Sequence, residues 1–243
     1  MNNRKQICRS CILGAILTCL MFISTIQASQ SILIYVSNGQ TNPTSMHNLE
    51  VSGNGEFVAL SQNNPADQVA IFNVPTEIAP LTIVRNFSGF SRVDHFCLSE
   101  TGHRLAVVDA SDEKLHMFSN TSSNPIWTID YGIYFRGLLM TPDASRVVIF
   151  PAPHDVSPLN ITILDGANGD VLASRVAVSV KEWTARISNC GVFLAAGFHN
   201  GTVIYFNATS LDLLWSESIS TETISALQMS DHGETLVSRD RFE

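Results

Sequence analysis

The sequence predicts an all-β fold, a β-propeller of four-stranded antiparallel blades with four complete blades and a partial fifth. Two observations lead to this prediction. A short motif recurs five times along the 243 residues, and each copy is followed by runs rich in β-branched and aromatic residues. The repeated Ser or Thr lies at intervals of 47, 42, 47 and 42 residues, at Ser52, Ser99, Thr141, Ser188 and Ser230. A period of about 40 to 47 residues is typical of propeller blades.

Each copy of the motif predicts a tight hairpin between the first two strands of a blade. An apolar residue precedes the Ser or Thr, and two variable residues separate it from a small turn residue. A glycine there supplies the positive φ that a tight turn needs. The third copy has Ala144 instead, and the other four have Gly55, Gly102, Gly191 and Gly233. The second strands are then predicted at residues 57–60, 105–108, 147–150, 193–196 and 235–238.

Two further strands complete each of the first four copies. The third strands are predicted at residues 68–73, 114–118, 160–164 and 202–206. The outer strands are predicted at residues 81–84, 126–129, 171–174 and 213–216. Trp127 and Trp215 occupy equivalent places on these outer strands, which predicts that both are buried between neighbouring blades.

The composition is that of a globular, acidic protein. Hydrophobic residues make up 45% and charged residues 15% of the chain, which is enough apolar content to form a core. The 14 basic residues face 22 acidic ones, a formal net charge of −8. Because no basic field is available to neutralise a phosphate backbone, nucleic acid is excluded as an expected partner.

The first 28 residues have the features of a secretory signal peptide. Arg4, Lys5 and Arg9 form a basic start, an apolar run follows over residues 11–26, and cleavage is expected between Ala28 and Ser29. The run is shorter than the roughly 20 residues that cross a bilayer. We therefore expect a secreted protein with no membrane attachment after cleavage, the alternative being an anchor through the uncleaved segment. The remaining chain carries a formal net charge of −11.

Cysteine and histidine supply no strong signal for a disulfide framework or a metal site. Only Cys97 and Cys190 lie beyond the leader, at non-equivalent places in different copies, so two unpaired thiols are expected rather than a bridge. No two histidines have zinc-site spacing, and turn or surface positions are expected for them. Seven are scattered singly, as His47, His95, His103, His116, His154, His199 and His232.

No catalytic motif stands out in the sequence. Residues 165–170 (DGANGD) lack oxygen ligands at the alternate positions that a calcium loop needs, which favours a polar hairpin with Asn168 and Gly169 at its tip. Trp183, next to Glu182, is expected to wedge between blades rather than to form a ligand platform in the channel. Five aspartates could form paired carboxylates in a central channel, but we expect them to be solvated loop residues instead. They are Asp94, Asp109, Asp130, Asp143 and Asp155.

Five N-glycosylation sequons follow the leader, a slight excess over chance. We predict their modification only in a eukaryotic host, and we expect Asn120, Asn200 and Asn207 to lie at strand ends or loops where a glycan is exposed. The five acceptor residues are Asn86, Asn120, Asn160, Asn200 and Asn207.

With these repeats, residues 31–242 resemble the WD-repeat-like and quinoprotein-like β-propeller superfamily. Residues 34–38 (IYVSN) are similar to the start of a YVTN-type repeat. The Trp-Asp dipeptide and the buried His/Asp network of intracellular WD repeats are absent, and the Gly102-His103 pair falls inside a first hairpin. The resemblance implies a ring of six to eight blades. This chain holds fewer, so it is either an incomplete product of a longer gene or a small ring that residues 31–36 close by pairing with residues 227–238.

Three functions remain open from the sequence. The first is a secreted, non-enzymatic propeller that binds a protein or glycan partner and needs no cofactor, with self-association through open blade edges as an added option. The second, which only the resemblance implies, is a dehydrogenase that uses pyrroloquinoline quinone and calcium. The third is a non-functional fragment of a longer propeller protein. We expect the first, because the repeat and the leader are present and a catalytic set is not recognisable.

Overall fold

The structure, a computed structural model, describes residues 46–63, 67–75, 81–152, 160–176 and 183–241. Within these ranges the chain forms eighteen strands. In the same ranges we find no helix long and apolar enough to cross a membrane. The predicted cleavage site at Ala28 and Ser29 and the predicted closing strand at residues 31–36 lie outside the described residues.

The strands form four four-stranded antiparallel sheets and one two-stranded sheet. Blade 1 contains β1 (Met46–Val51), β2 (Phe57–Asn63), β3 (Asp67–Asn73) and β4 (Thr82–Phe90). Blade 2 contains β5 (Val93–Leu98), β6 (Arg104–Asp109), β7 (Lys114–Ser119) and β8 (Pro125–Asp130). Blade 3 contains β9 (Tyr134–Met140), β10 (Arg146–Ala152), β11 (Asn160–Asp165) and β12 (Val171–Val176). Blade 4 contains β13 (Trp183–Ile187), β14 (Phe193–Phe198), β15 (Thr202–Asn207) and β16 (Leu213–Ser218), and blade 5 contains β17 (Ile224–Met229) and β18 (Leu236–Asp240).

This arrangement confirms the predicted β-propeller with four complete blades and a partial fifth. Strand order within every sheet follows the chain, and the first strands of consecutive blades lie next to each other. The core lies between the blades, because most of its hydrophobic clusters combine residues of two consecutive sheets. Between blades 1 and 2, for example, Phe87 and Phe118 pack with their ring centroids 4.7 Å apart.

The repeated Ser or Thr fixes the first hairpin of each blade through its hydroxyl group. Its oxygen accepts a hydrogen bond from the backbone N–H five residues later in all five copies, at 2.9–3.0 Å. In blade 2 the donor is the N–H of Arg104, and Ser99 is 1% exposed. The hydroxyl therefore satisfies a backbone donor that the hairpin ladder leaves without a partner.

Replacing Ser99 by alanine is expected to lower the free energy of unfolding by about 1–3 kcal/mol, because the Arg104 N–H loses its buried acceptor. Chemical denaturation of both proteins measures the difference. Ser99→Thr is the matched control, since Thr141 performs the same role in blade 3 at 3.0 Å. Equal stability of Ser99→Ala and the natural chain would contradict this role for the hydroxyl.

The turn residue of the hairpin adopts the predicted positive φ, including the alanine of the third copy. Ala144 has a φ of 57° and Gly102 a φ of 69°. Glycine is also required at residue 102 by packing, because a Cβ atom there would lie 2.3 Å from the Phe57 ring of the preceding blade. The sequence pattern indicated the turn conformation, and the structure adds a close approach between blades.

Each of the four outer strands carries a register shift at the same place in the repeat. The shifts lie opposite the pairs Ile71/Phe72, Met117/Phe118, Ile163/Leu164 and Tyr205/Phe206 of the third strands. An extra residue bends an edge strand and interrupts its row of free backbone groups. The repeated irregularity therefore makes each blade edge a poorer template for pairing with another chain.

The prediction for the two outer-strand tryptophans is confirmed for Trp127 and wrong for Trp215. Trp127 is 9% exposed and packs against blade 3, whereas Trp215 is 40% exposed. Their registers are equivalent, since Trp127 lies opposite Met117 and Trp215 opposite Tyr205. The difference arises because the β11–β12 hairpin of the next blade lies against Trp127 at Gly166 and Gly169, and blade 5 has only its first two strands in the described residues.

Candidate binding site at the hairpin face

The antiparallel blades place two hairpins of every complete blade at one end of the molecule. These are the hairpin after the first strand and the hairpin after the third strand, and we call this end the hairpin face. Its carboxylates come from every blade, at Glu56, Glu100, Asp143, Asp165, Asp170, Asp212, Asp231 and Glu234. All of them are exposed except Asp165, which is half-buried. The hairpin face is therefore strongly acidic.

Hydrogen bonds between blades hold the first hairpins of the hairpin face in fixed positions. The N–H of Asn54 donates to the carbonyl of Glu100 at 3.0 Å, and the N–H of Glu100 donates to the carbonyl of Pro142 at 2.9 Å. Between blades 4 and 5, the N–H of Cys190 donates to the carbonyl of Asp231 at 3.0 Å. A surface fixed by backbone bonds loses little conformational freedom when it binds a partner.

Three side chains of the first strands occupy the same offset in the repeat and influence each other electrostatically. Glu50, Cys97 and Arg186 each lie two residues before the repeated Ser, and the charges of Glu50 and Arg186 both act on the Cys97 thiol. Loss of hydration raises the pKa of the Glu50 carboxyl, and the Arg186 guanidinium lowers it in part. Because the Arg186 guanidinium acts on the Glu50 carboxyl, the two groups together add no net charge to the acidic hairpins.

A second polar group lies further along the first strands, toward the opposite end. The Asp94 carboxylate accepts hydrogen bonds from Arg92 Nε at 2.9 Å and from the Tyr134 hydroxyl at 3.3 Å. Asn48 Nδ2 donates to the Asp94 carbonyl at 2.8 Å. These contacts join the first strands of blades 1, 2 and 3, which makes Asp94 a structural link.

The other aspartates named by the sequence do not converge on a shared site. Asp109 is 2% exposed, which contradicts a solvated loop position, and its carboxylate accepts the backbone N–H groups of Ser91 and Arg92 at 2.9 and 3.1 Å. Burial raises the pKa of Asp143, but hydrogen bonds from the Ser145 N–H and the Thr141 hydroxyl outweigh it, so the pKa is lowered. Asp130 lies exposed at the end of β8, and Asp155 lies outside the described residues.

The structure contradicts a surface position for two histidines. His95 and His116 lie half-buried on β5 and β7, and burial lowers the pKa of both imidazoles. His103 and His232 lie in first hairpins, and His199 lies in a loop of blade 4. The side chain of His47 and the whole of His154 lie outside the described part of the chain. In the part of the chain that the structure describes, no group of three metal-ligating side chains occurs.

Residues 165–170 form the predicted polar hairpin, and this hairpin also joins blades 2 and 3. Gly169 has a φ of 80°, and the Asp165 N–H donates to the Asp170 carbonyl at 2.8 Å. The Gly166 carbonyl accepts a hydrogen bond from Trp127 Nε1 at 3.0 Å. Trp183 begins β13 as the sequence suggests, but its side chain and Glu182 lie outside the described part.

Cys97 and Cys190 are both free thiols in the structure. Cys190 is exposed in the first hairpin of blade 4. Cys97 is half-buried, its thiol donates to the Leu138 carbonyl at 3.2 Å, and burial raises the pKa of the thiol. Cys190 is therefore accessible to a reagent, whereas Cys97 is half-buried and its thiol has a raised pKa.

A maleimide or iodoacetamide probe at pH 8 is expected to label Cys190 quickly and Cys97 only after unfolding, because the thiolate is the reacting form. Peptide mapping of the labelled chain, with and without denaturant, measures both rates. Cys190→Ser removes the fast reaction and serves as the control. Equal labelling rates for the two cysteines in the folded protein would contradict this placement of Cys97.

The five sequon asparagines differ in exposure. Asn86 and Asn200 are exposed, and Asn160 and Asn207 are half-buried. Asn120 is 6% exposed, so the expectation of an exposed side chain is wrong there. The reason is that His103 and Asn120 face each other across the blade, with Asn120 Nδ2 3.0 Å from His103 Nδ1.

Comparison with solved structures identifies the fold. One match is the crystal structure of the Myceliophteria thermophila Cps50 (Swd1) beta-propeller domain, with a TM-score of 0.64 and 16% sequence identity. The match covers 82% of this chain and 63% of that one, so the present chain spans less than two thirds of that domain. No protein-family model and no curated protein matches the sequence. The likeness shows a β-propeller fold.

Sequence reasoning missed the main features of the hairpin face. Glu50 and Arg186 both lie two residues before the repeated Ser of their blades. That offset was the available signal, since residues at one offset in successive blades face the same axis. The hydrogen bonds between hairpins cannot be recognised from the residue types, because backbone groups make them.

Proposed function

We propose that this chain is a secreted, non-enzymatic interaction module that binds a basic segment of a protein partner at the hairpin face. The observation that carries the proposal is a set of hairpins, linked by backbone hydrogen bonds between blades 1 and 2, 2 and 3, and 4 and 5, whose carboxylates outnumber their arginines. Loops held by a rigid scaffold are common binding sites. Secretion rests on the leader pattern of the first 28 residues.

Charge favours a basic protein segment over a neutral glycan. Glu100 and Asp231 are exposed on hairpins of blades 2 and 5, and Glu50 lies on β1, two residues before Ser52. The Asn189 side chain holds Asp231 in place through a 2.7 Å hydrogen bond from Nδ2 to Oδ1. Arg85 and Arg175, which reach this face from outer strands, donate to hairpin carbonyls of the next blades. Arg104 and Arg146 also lie at this face, half-buried at the starts of β6 and β10, and the carboxylates outnumber these four arginines.

The experiment is peptide selection followed by charge reversal. A random peptide library is panned against the immobilised full chain, and enriched peptides are titrated against the chain and its variants. We expect basic peptides whose affinity falls with salt and drops about tenfold or more for the Glu100→Lys and Asp231→Lys double variant. Dissociation constants measured by calorimetry give the comparison.

Glu222→Lys is the matched control, because Glu222 is an exposed carboxylate in the connection before β17, at the end opposite the hairpin face. Glu222→Lys makes the same change in net charge as Glu100→Lys or Asp231→Lys alone, and we expect less than about a twofold effect on affinity. Equal losses for Glu222→Lys and the double variant would reject a local site. Enriched peptides without basic residues, or binding to a glycan array alone, would reject a basic protein partner.

A further inference from the structure

We propose that Asn200 carries an N-linked glycan, and that it is the sequon asparagine best suited to one in the folded protein. The inference rests on the proposed secretion of the chain. It concerns a different surface from the binding site and can be tested without a partner.

Asn200 lies exposed in the tight loop that joins β14 and β15. Its side-chain oxygen Oδ1 accepts a hydrogen bond from the Thr202 N–H at 3.2 Å, which fixes the side chain while engaging only its oxygen. Among the described residues, no acceptor for a hydrogen bond from Asn200 Nδ2 is found. The atom to which a glycan is attached is thus presented outward by a short turn.

Asn120 is the sequon that the fold excludes. It is 6% exposed, and its Nδ2, the atom to be modified, faces His103 Nδ1 at 3.0 Å. Its backbone carbonyl accepts a hydrogen bond from Arg85 Nε of the preceding blade at 3.3 Å. A glycan on Nδ2 would displace these contacts between strands and blades, so a chain modified there before folding would not reach this structure.

The remaining three sequons are less suitable than Asn200. Thr162, the third residue of the Asn160 sequon, is 5% exposed. Asn207 is half-buried, and its Oδ1 accepts the N–H groups of Thr209 and Ser210 at 2.7 and 3.3 Å. Asn86 is exposed, but its Nδ2 donates to Gln68 Oε1 at 2.7 Å in the middle of β4. A glycan on Asn160 would meet buried protein atoms, and one on Asn86 would break its hydrogen bond to Gln68. Asn207 is engaged only through Oδ1, as Asn200 is, and its disadvantage is that it is less exposed.

The modification is a group transfer with a lipid-linked donor. The bond that forms joins Asn200 Nδ2 to the anomeric carbon of an oligosaccharide. The bond that breaks joins that carbon to a lipid pyrophosphate, which leaves, and the host transferase takes up the proton that Nδ2 loses. No electrons are exchanged, and the chain contributes only the accessible amide.

The position also keeps the proposed binding site clear. The β14–β15 loop lies at the end opposite the hairpin face, because antiparallel strands alternate their ends. Asn207, by contrast, lies where β15 enters a hairpin of the hairpin face. A glycan on Asn200 would therefore shield one end of the molecule and leave the other free for a partner.

The test expresses residues 29–243 behind an established secretory leader in a eukaryotic host, so that the chain's own leader is not needed. Peptide-N-glycosidase converts each glycosylated asparagine to aspartate, and peptide mapping reads which residues changed. We expect Asn200 to be converted and Asn120 to remain asparagine. Asn200→Gln and Thr202→Val should each remove the Asn200 signal, whereas Thr202→Ser keeps the sequon and should retain it.

An unmodified Asn200 in the folded, secreted chain would overturn the proposal, and so would a glycan on Asn120 in that chain. If the chain is retained inside the host, the same mapping is applied to the protease-resistant fraction from the secretory compartment, with the same two criteria. Peptide binding is measured separately on unglycosylated protein from a bacterial host, so a failure at Asn200 leaves the binding proposal standing.

Discussion

Replacing Trp127 by alanine is expected to lower the free energy of unfolding by about 3–5 kcal/mol, the range for truncating a large buried aromatic side chain. Trp127 is 9% exposed, packs in the cluster between blades 2 and 3, and donates from Nε1 to the Gly166 carbonyl at 3.0 Å. The substitution removes the packing and leaves that carbonyl without its donor. Urea denaturation followed by circular dichroism measures the loss.

Trp215→Ala is the matched control at the equivalent place in blade 4. Trp215 is 40% exposed and stacks on Tyr205 with ring centroids 5.6 Å apart, so we expect a cost of about 1 kcal/mol. A cost for Trp215→Ala equal to that of Trp127→Ala would show that another part of the chain covers Trp215.

Replacing Gly166 by alanine is expected to destabilise the protein by about 3 kcal/mol or more, because the site has no space for the added methyl group. A Cβ atom at residue 166 would lie 1.8 Å from the Ala144 carbonyl oxygen. The hairpin would have to move away from its neighbour, which also disturbs the bond between Trp127 and the Gly166 carbonyl. Thermal and urea denaturation of the variant measure the effect.

Gly53→Ala is the control for this substitution. The nearest atom to an added Cβ at residue 53 belongs to the flexible Glu100 side chain, at 2.7 Å, and can move. We expect a change within about 0.5 kcal/mol, the usual scale for exposed sites. If the two alanine variants are equally stable, the close approach at Gly166 is not present in the protein.

The periodic features of the fold could be predicted from the sequence, because each depends on local residue types. The repeated Ser-x-x-Gly marked a hairpin in every blade, and β-branched runs marked the third and outer strands within a few residues of their observed limits. Even Ala144 kept the turn, with a φ of 57°.

What could not be predicted depends on neighbours that are distant in sequence. Trp127 and Trp215 occupy equivalent places along the chain, and they differ in burial because the β11–β12 hairpin of the next blade lies against Trp127. The sequence suggests that Asp109 is a solvated loop residue. It is buried in the structure, where its carboxylate accepts hydrogen bonds from the backbone N–H groups of Ser91 and Arg92. The acidic hairpin face similarly arises from residues that the topology gathers from five blades.

The most direct test of the binding proposal is photo-crosslinking with one enriched basic peptide. A benzophenone amino acid is placed at Glu100 on the hairpin face, or at Glu222 at the opposite end, in otherwise unchanged full-length protein. We predict a crosslinked product from residue 100 and none above background from residue 222. Crosslinking from residue 222 that equals or exceeds that from residue 100 would contradict the assignment of the hairpin face as the binding site.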